Sequence, residues 1–167
     1  VVECQPEICT LDCGTMNFGG DEIFVNTENM IIAFAARMNE RGIKPELECF
    51  DKSHVDMALR LVRKGHIKPH LHFNFVLGVN GGATGTPRDL LFLKESLPEG
   101  ATFTVTGIGR CQLEMNVMGM LLGGHVRVGF EDNLKYNRER NGVSNAEFVE
   151  RIVRIAKELN LEIATSA

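Results

Sequence analysis

A chain of 167 residues fits one domain and is long enough to bury a core, since domains run to roughly 100–200 residues. Apolar residues at 44%, charged residues at 24% and a net charge of -4 describe an ordinary globular composition, with no electrostatic reason for a nucleic-acid or anionic-membrane partner. No apolar run nears the roughly 20 residues that span a bilayer, and five cysteines without a repeated C-x-x-C spacing predict reduced thiols and a cytoplasmic protein.

Short β-like runs alternate with amphipathic helical runs along the whole chain. Ile8 to Leu11 reads as a strand, followed by the glycine-rich segment Gly14 to Gly20. From about Thr27, Met30, Ile31, Phe34, Ala35 and Met38 fall at helical spacing, and Gly42 supplies a stop. Pro45 to Phe50 is the next strand; Ser53 is the predicted cap of a helix with Val55, Ala58, Leu59 and Val62 on one face. His70 to Leu77 reads as a longer strand, leading into the loop Gly78 to Gly85, and Thr86-Pro87 opens a helix with a hydroxyl at N-cap and proline at N1.

Thr102 to Val105 is a strand, Gly107-Ile108-Gly109-Arg110 a turn, and Cys111 to Leu122 a helix. His125 to Phe130 reads as a strand, Ser144 to Glu147 has the form of a capping box, and Glu162 to Ala164 begins a last strand. The helix after the capping box is expected to turn Phe148, Val149, Ile152, Ile155, Ala156 and Leu159 inward.

Strands alternating with helices call for a parallel sheet, either doubly wound or part of a (β/α)8 barrel. Polar groups end nearly every strand: Thr10 and Asp12, Glu48 and Asp51, Asn80, Thr106, and Glu131-Asp132. Functional groups converging from the C-terminal ends of many strands are the habit of the barrel, whose βα loops share one mouth. The α/β expectation is therefore a partial TIM barrel in one domain over residues 1–167, with about six of the eight βα units present and about two more before Val1.

Four groups of residues can carry chemistry. Strand alternation would set Arg127 and Glu131 in one cavity with Asp132 at its rim, an arrangement that can hold an acid ionised or organise an anionic substrate; a structural ion pair is the plainer alternative. His70-Leu71-His72 places two imidazoles at a zinc-chelating spacing, but near the start of a strand, where hydrogen-bonded or solvated histidines are the plainer reading. Glu46 and Glu48 share one face of a strand, and inward-facing carboxylates need a partner or a cation. The loop Gly78 to Gly85 can cradle a phosphate or carboxylate with backbone N–H groups, and Arg110 can meet a phosphate.

Several stretches resemble one known family, the β-keto acid cleavage enzymes. They are Pro6-Glu7-x-x-Thr10-Leu11-x-x-Gly14-x-Met16-Asn17-Phe18, Lys44-Pro45-Glu46-x-Glu48-x-Phe50-Asp51, Val76-Leu77-Gly78 and Gly107-Ile108-Gly109-Arg110. Gly123 to Asn133, with Arg127-Val128-Gly129-x-Glu131-Asp132-Asn133, and Ser144-Asn145-Ala146 complete the match. The resemblance implies a (β/α)8 barrel, oligomeric, that binds one Zn2+ through a His-x-His pair and a glutamate. It implies condensation of a β-keto acid with acetyl-CoA, releasing acetoacetate and a new CoA thioester. Residue by residue, Glu131 resembles the zinc-binding glutamate, Asp132 the catalytic base, Arg127 its partner, and Thr10 with Glu48 or Glu46 the substrate contacts. Arg110 is the expected CoA phosphate contact. The family's His-x-His pair belongs to the second barrel strand, which this chain does not contain, so the zinc histidines are expected upstream of Val1 and the role is not given to His70 and His72. Two other functions compete: a non-catalytic truncated barrel with an assembly role, and a metal-dependent barrel aldolase.

Overall fold

The computed structural model describes residues 1–165. Five parallel strands form one sheet: β1 (Ile8–Asp12), β4 (Lys44–Cys49), β5 (His72–Leu77), β6 (Thr102–Gly107) and β7 (His125–Arg127). Between β1 and β4 lie a small antiparallel hairpin, β2 (Met16–Phe18) and β3 (Glu22–Phe24), and helix α1 (Glu28–Glu40). Helices α2 (Lys52–Arg63), α3 (Pro87–Glu95), α4 (Gln112–Leu121) and α5 (Asn145–Glu158) follow β4, β5, β6 and β7 in turn. No helix among the described residues is long and apolar enough to cross a membrane.

The strands lie in the order in which they occur in the chain. A doubly wound sheet reverses its strand order at a switch point, and the described strands contain no such reversal. Their two faces divide the work by parity, because successive side chains of a strand point to opposite sides. Leu11, Leu47, Cys49, Phe73, Phe75, Leu77, Phe103 and Val105 join Ile31, Ala35, Val55, Ala58, Leu61, Leu90, Leu93 and Met115 of the first four helices in one buried apolar cluster. All six residues of β5 are buried, Phe73, Phe75 and Leu77 under helices and His72, Asn74 and Val76 on the opposite face.

Local chemistry accounts for the helix starts. Thr86 Oγ1 accepts from Asp89 N, with Pro87 at N1, and Ser144 Oγ accepts from Glu147 N. Glu147 returns its carboxylate to Val143 N at 2.9 Å, one residue before the position a capping box would use. The cap of α2 is Asp51, not Ser53: its Oδ1 accepts from Ser53 N at 2.7 Å and His54 N at 3.3 Å, so one carboxylate serves two free donors.

Other expectations change. The glycine-rich segment Gly14 to Gly20 carries the first strand of the hairpin, with Gly19 and Gly20 supplying the positive φ its turn requires. β5 starts at His72, because His70 takes a left-handed φ of 68° and stands outside the ladder. β7 ends at Arg127, three residues early, where the chain turns so that Asp132 N and Asn133 N donate to Gly129 O. Phe130 N donates to Asn145 Oδ1, and its ring packs edge-on against Phe148 at 5.6 Å. No strand forms at Glu162–Ala164: these residues are exposed and have no ladder partner, so the described residues make five βα units rather than six. Met30 and Phe34 of α1 and Val149 of α5 are exposed.

The hairpin lies over the C-terminal ends of the central strands. Phe18 and Phe24 each stand 6.4 Å from the Phe50 ring, and Gly19 N donates to Asn80 O at 3.2 Å. A Cβ on Gly81 would fall 1.7 Å from Asn17 O, at a φ of 97° that disfavours any side chain. Gly81→Ala should therefore lift the hairpin off the sheet and cost at least about 2 kcal/mol, read as a lower urea midpoint, while Gly100→Ala, whose Cβ would meet open space, should cost less.

Candidate functional site

The face of the sheet turned away from the helices is polar across all five strands, and register builds it in layers. Thr10, Glu46 and His72 are direct partners along one row, and Asp12, Glu48 and Asn74 along the next. In the first row Thr10 Oγ1 donates to Glu46 Oε2 at 3.3 Å, and His72 Nε2 lies 3.5 Å from Glu46 Oε1. The ring nitrogens of His72 also meet Thr102 Oγ1 at 2.8 Å and Thr104 Oγ1 at 3.0 Å. In the second row Asn74 Nδ2 donates to Glu48 Oε2 at 2.9 Å, and Asn74 Oδ1 accepts from Thr106 Oγ1 at 2.8 Å. The buried Asn74, His72, Thr104 and Thr106 thereby find partners, as burial requires.

Arg127, the register partner of Thr106, reaches the second row from β7. Its Nε and Nη2 donate to the two oxygens of Asp132 at 3.1 and 2.5 Å, and its Nη1 lies 3.8 Å from Glu48 Oε2. The fork-to-fork geometry fixes the plane of the Asp132 carboxylate. Asp132 is only 5% exposed, and its backbone carbonyl accepts from Gly109 N at 2.7 Å, tying the loop after β7 to the loop after β6. From behind, Asn116 Nδ2 donates to Arg127 O at 3.2 Å.

The carboxylates differ in their protonation. Burial, reinforced by the neighbouring charge of Asp12, pushes Glu48 up to about 7 against the pull of Arg127 and Asn74. Burial also raises Asp12. Glu46 goes the other way, held down mainly by its hydrogen bond with His72.

Of the residues singled out in the sequence, the structure brings Thr10, Glu46, Glu48, Arg127 and Asp132 onto one surface. It reverses the expected places of Glu131 and Asp132: Glu131 is exposed and Asp132 buried, because the strand ends before parity can carry Glu131 inward. Arg110 stands apart from this surface, lining with Gly78 to Gly82 and Thr84 to Thr86 a cleft of about 360 Å³. His70 is exposed, and His72 is engaged with threonines.

Among the described residues no three His, Cys, Asp or Glu side chains are placed to hold a metal ion. Glu131 is a single exposed carboxylate, so the residues of this chain do not by themselves make a zinc site. Asp12, Asn74, His72 and Thr106 are site residues that the sequence reading left without a role. The signal for them is the alternation in His72-Phe73-Asn74-Phe75 and Thr102-Phe103-Thr104-Val105-Thr106, polar residues at every second position of buried strands.

Comparison with known proteins gives the family. The family model described as "beta-keto acid cleavage enzyme" matches residues 1–167, and the chain belongs to that family. It is 58% identical over 161 residues to the 3-keto-5-aminohexanoate cleavage enzyme of Acetoanaerobium sticklandii, covering 96% of this chain and 59% of that one. It is 37% identical over 164 residues to the 3-dehydrocarnitine:acetyl-CoA trimethylamine transferase of Rhizobium meliloti, covering 98% of this chain and 54% of that one. The chain thus spans little more than half the length of these relatives. Among solved structures, apo ObcA superposes with a TM-score of 0.82 over 96% of this chain and 42% of its own, at 21% identity, a likeness of fold.

The raised Glu48 makes stability depend on pH. Its folded form keeps a proton that the unfolded chain, with an ordinary carboxyl near 4.5, has released. Stability from this group is greatest below the unfolded value and is lost as pH rises to about 7. In the complete polypeptide, urea melts should lose about 2 kcal/mol between pH 5 and pH 8, and Glu48→Gln should flatten that slope.

Proposed function

We propose that this chain is the C-terminal part of a (β/α)8-barrel acyltransferase that exchanges acyl groups between a β-keto acid and acetyl-CoA, giving acetoacetate and a new CoA thioester. The observation that carries the reading is the bidentate Arg127–Asp132 pair, buried on a polar sheet face beside Glu48. Asp132 acts as the base. Its orientation fixed by Arg127, it takes a proton from the substrate and generates the nucleophile that attacks the thioester carbonyl. The adduct then collapses in the retro-Claisen direction. Relatives of the chain named as acetyl-CoA transferases support this class of reaction.

The remaining residues receive roles from the same reading. Thr10, Glu46 and Glu48 line the substrate pocket, with Glu48 as the contact for an ammonium group on the substrate. The 58%-identical relative, named for an aminohexanoate, supports that choice. Arg110 and the glycine-rich loop beside it hold a phosphate of CoA, as a cleft with a guanidinium and threonine hydroxyls in its lining suits an anion. In this reading the polypeptide is a cytoplasmic homo-oligomer, supported by five free cysteines and by the exposed Met30, Phe34, Leu91 and Phe92.

Zinc enters the proposal only with histidines supplied by residues before Val1, Glu131 joining them. Two expectations follow. The complete polypeptide should contain about one zinc per chain by elemental analysis and lose cleavage on chelation, whereas residues 1–167 alone should retain none after dialysis. Asp132→Asn should lower acetoacetate formation by about 10²–10⁴-fold with acetyl-CoA binding intact. Full activity in that variant would sink the assignment of the base.

A further inference from the structure

The bidentate contact fixes Asp132 against Arg127, but it does not fix the pair against the rest of the sheet. β7 is three residues long and ends at Arg127, whose ladder partner is Thr106. Beyond it the chain turns about Gly129 O, which accepts from both Asp132 N and Asn133 N. The aim of the Asp132 carboxylate therefore depends on what holds the two ends of this turn.

Helix α4 holds both ends. Gly119 lets the helix lie close on the sheet, since a Cβ there would fall 2.8 Å from Val105 Cγ2 and 3.5 Å from Val126 Cγ1. One turn earlier Asn116, fully buried, donates from Nδ2 to Arg127 O at 3.2 Å. One turn earlier again Gln112, 3% exposed, accepts at Oε1 from Asn133 Nδ2 at 3.3 Å. The orientation of both amides is forced. Asn133 Oδ1 already accepts from Lys135 N at 2.8 Å, so Asn133 offers Gln112 only its NH2 group, and the Arg127 carbonyl can receive only the NH2 group of Asn116. Each amide thereby leaves its other end buried with no partner among the described residues, Nε2 of Gln112 and Oδ1 of Asn116. Two half-satisfied amides are a cost on a helix face whose other buried residues are Met115, Gly119 and Met120. Packing alone would favour leucine or methionine at both places.

We propose that Gln112 and Asn116 are positioning residues for the base: Asn116 anchors the turn where it leaves Arg127, Gln112 anchors it at Asn133, and Asp132 is aimed between them. The inference rests on the acyl-transfer reading, in which the Asp132 carboxylate takes the α-proton of the β-keto acid and leaves the enolate as nucleophile. Both amides belong to the helix layer, so they act on Asp132 through the backbone of the turn. What they set is the distance and angle between the carboxylate and the α-carbon, on which proton transfer depends steeply. Binding of either substrate does not draw on them.

The test is steady-state kinetics of the complete polypeptide with a β-keto acid carrying hydrogen or deuterium at its α-carbon, run beside urea melts. Asn116→Leu should lower kcat by about 10–100-fold and raise the deuterium isotope effect on kcat, because a misplaced base slows proton removal relative to the steps around it. The KM of each substrate should stay within about twofold of the unsubstituted protein. The urea midpoint should also stay close, since the lost bond is offset by removal of an unpartnered amide end. Gln112→Met should lower kcat by about tenfold, and Gln112→Glu, which keeps an acceptor for Asn133, should recover most of it. Unchanged kcat in both Asn116→Leu and Gln112→Met would overturn the positioning role and leave acyl transfer standing. A fall in kcat matched by a lower urea midpoint, with the isotope effect unchanged, would make the amides merely structural and overturn it too. If Asn116→Leu does not fold, the contrast between Gln112→Met and Gln112→Glu decides, and equal kcat in those two overturns the proposal. No acyl transfer by the unsubstituted polypeptide would instead remove the enzyme reading, and this inference with it.

Discussion

A carboxylate withdrawn from water must be paired, hydrogen-bonded or neutralised, and four of them meet on one face of this sheet. Asp12, Glu46, Glu48 and Asp132 share that face with one guanidinium, and much of the surrounding sequence serves to make their burial tolerable. Thr10, His72, Asn74, Thr102, Thr104 and Thr106, on three strands, form a lattice of hydrogen bonds around the acids. The opposite face holds the fold together by apolar packing alone. A parallel sheet normally buries apolar residues on both sides, so a polar inner face is a cost that stability alone would not select.

The apolar face was readable in the sequence for the same reason that it is stable. Leu47, Phe73, Phe75, Phe103 and Val105 alternate with polar residues inside runs bounded by glycine and proline, and the helix starts at Thr86 and Ser144 carry their caps in plain view. Arg127 and Asp132 were visible as a motif, although not in their geometry. Their positions depend on where β7 stops, and that is decided by contacts of Phe130 with Phe148 and Asn145, residues fifteen or more positions away. Reading the strand on by parity through Gly129 therefore turned Glu131 inward and Asp132 outward, the reverse of what the turn produces.

The smaller differences divide between near and distant partners. Ser53 and Asp51 are both good caps, and the choice falls to the carboxylate because one oxygen reaches two backbone donors. The Gly14 to Gly20 segment becomes a hairpin because Phe18 and Phe24 find Phe50, a ring from a different strand. Glu162 to Ala164 has the composition of a strand but no neighbouring edge among the described residues. The local sequence permitted two outcomes at each place: adjacent backbone donors decided the cap, and a ring distant in the chain decided the hairpin.

The backbone bond from Gly109 N to the carbonyl of Asp132 joins two loops that face different molecules in the proposed reaction. One carries Arg110 beside the phosphate cleft; the other carries the base. Because a peptide hydrogen bond tolerates little stretch, a shift of the first loop on closing over an anion would be carried to the second as a rigid displacement. The occupancy of one compartment can in this way set the aim of a side chain in the other, with no side chain passing the message.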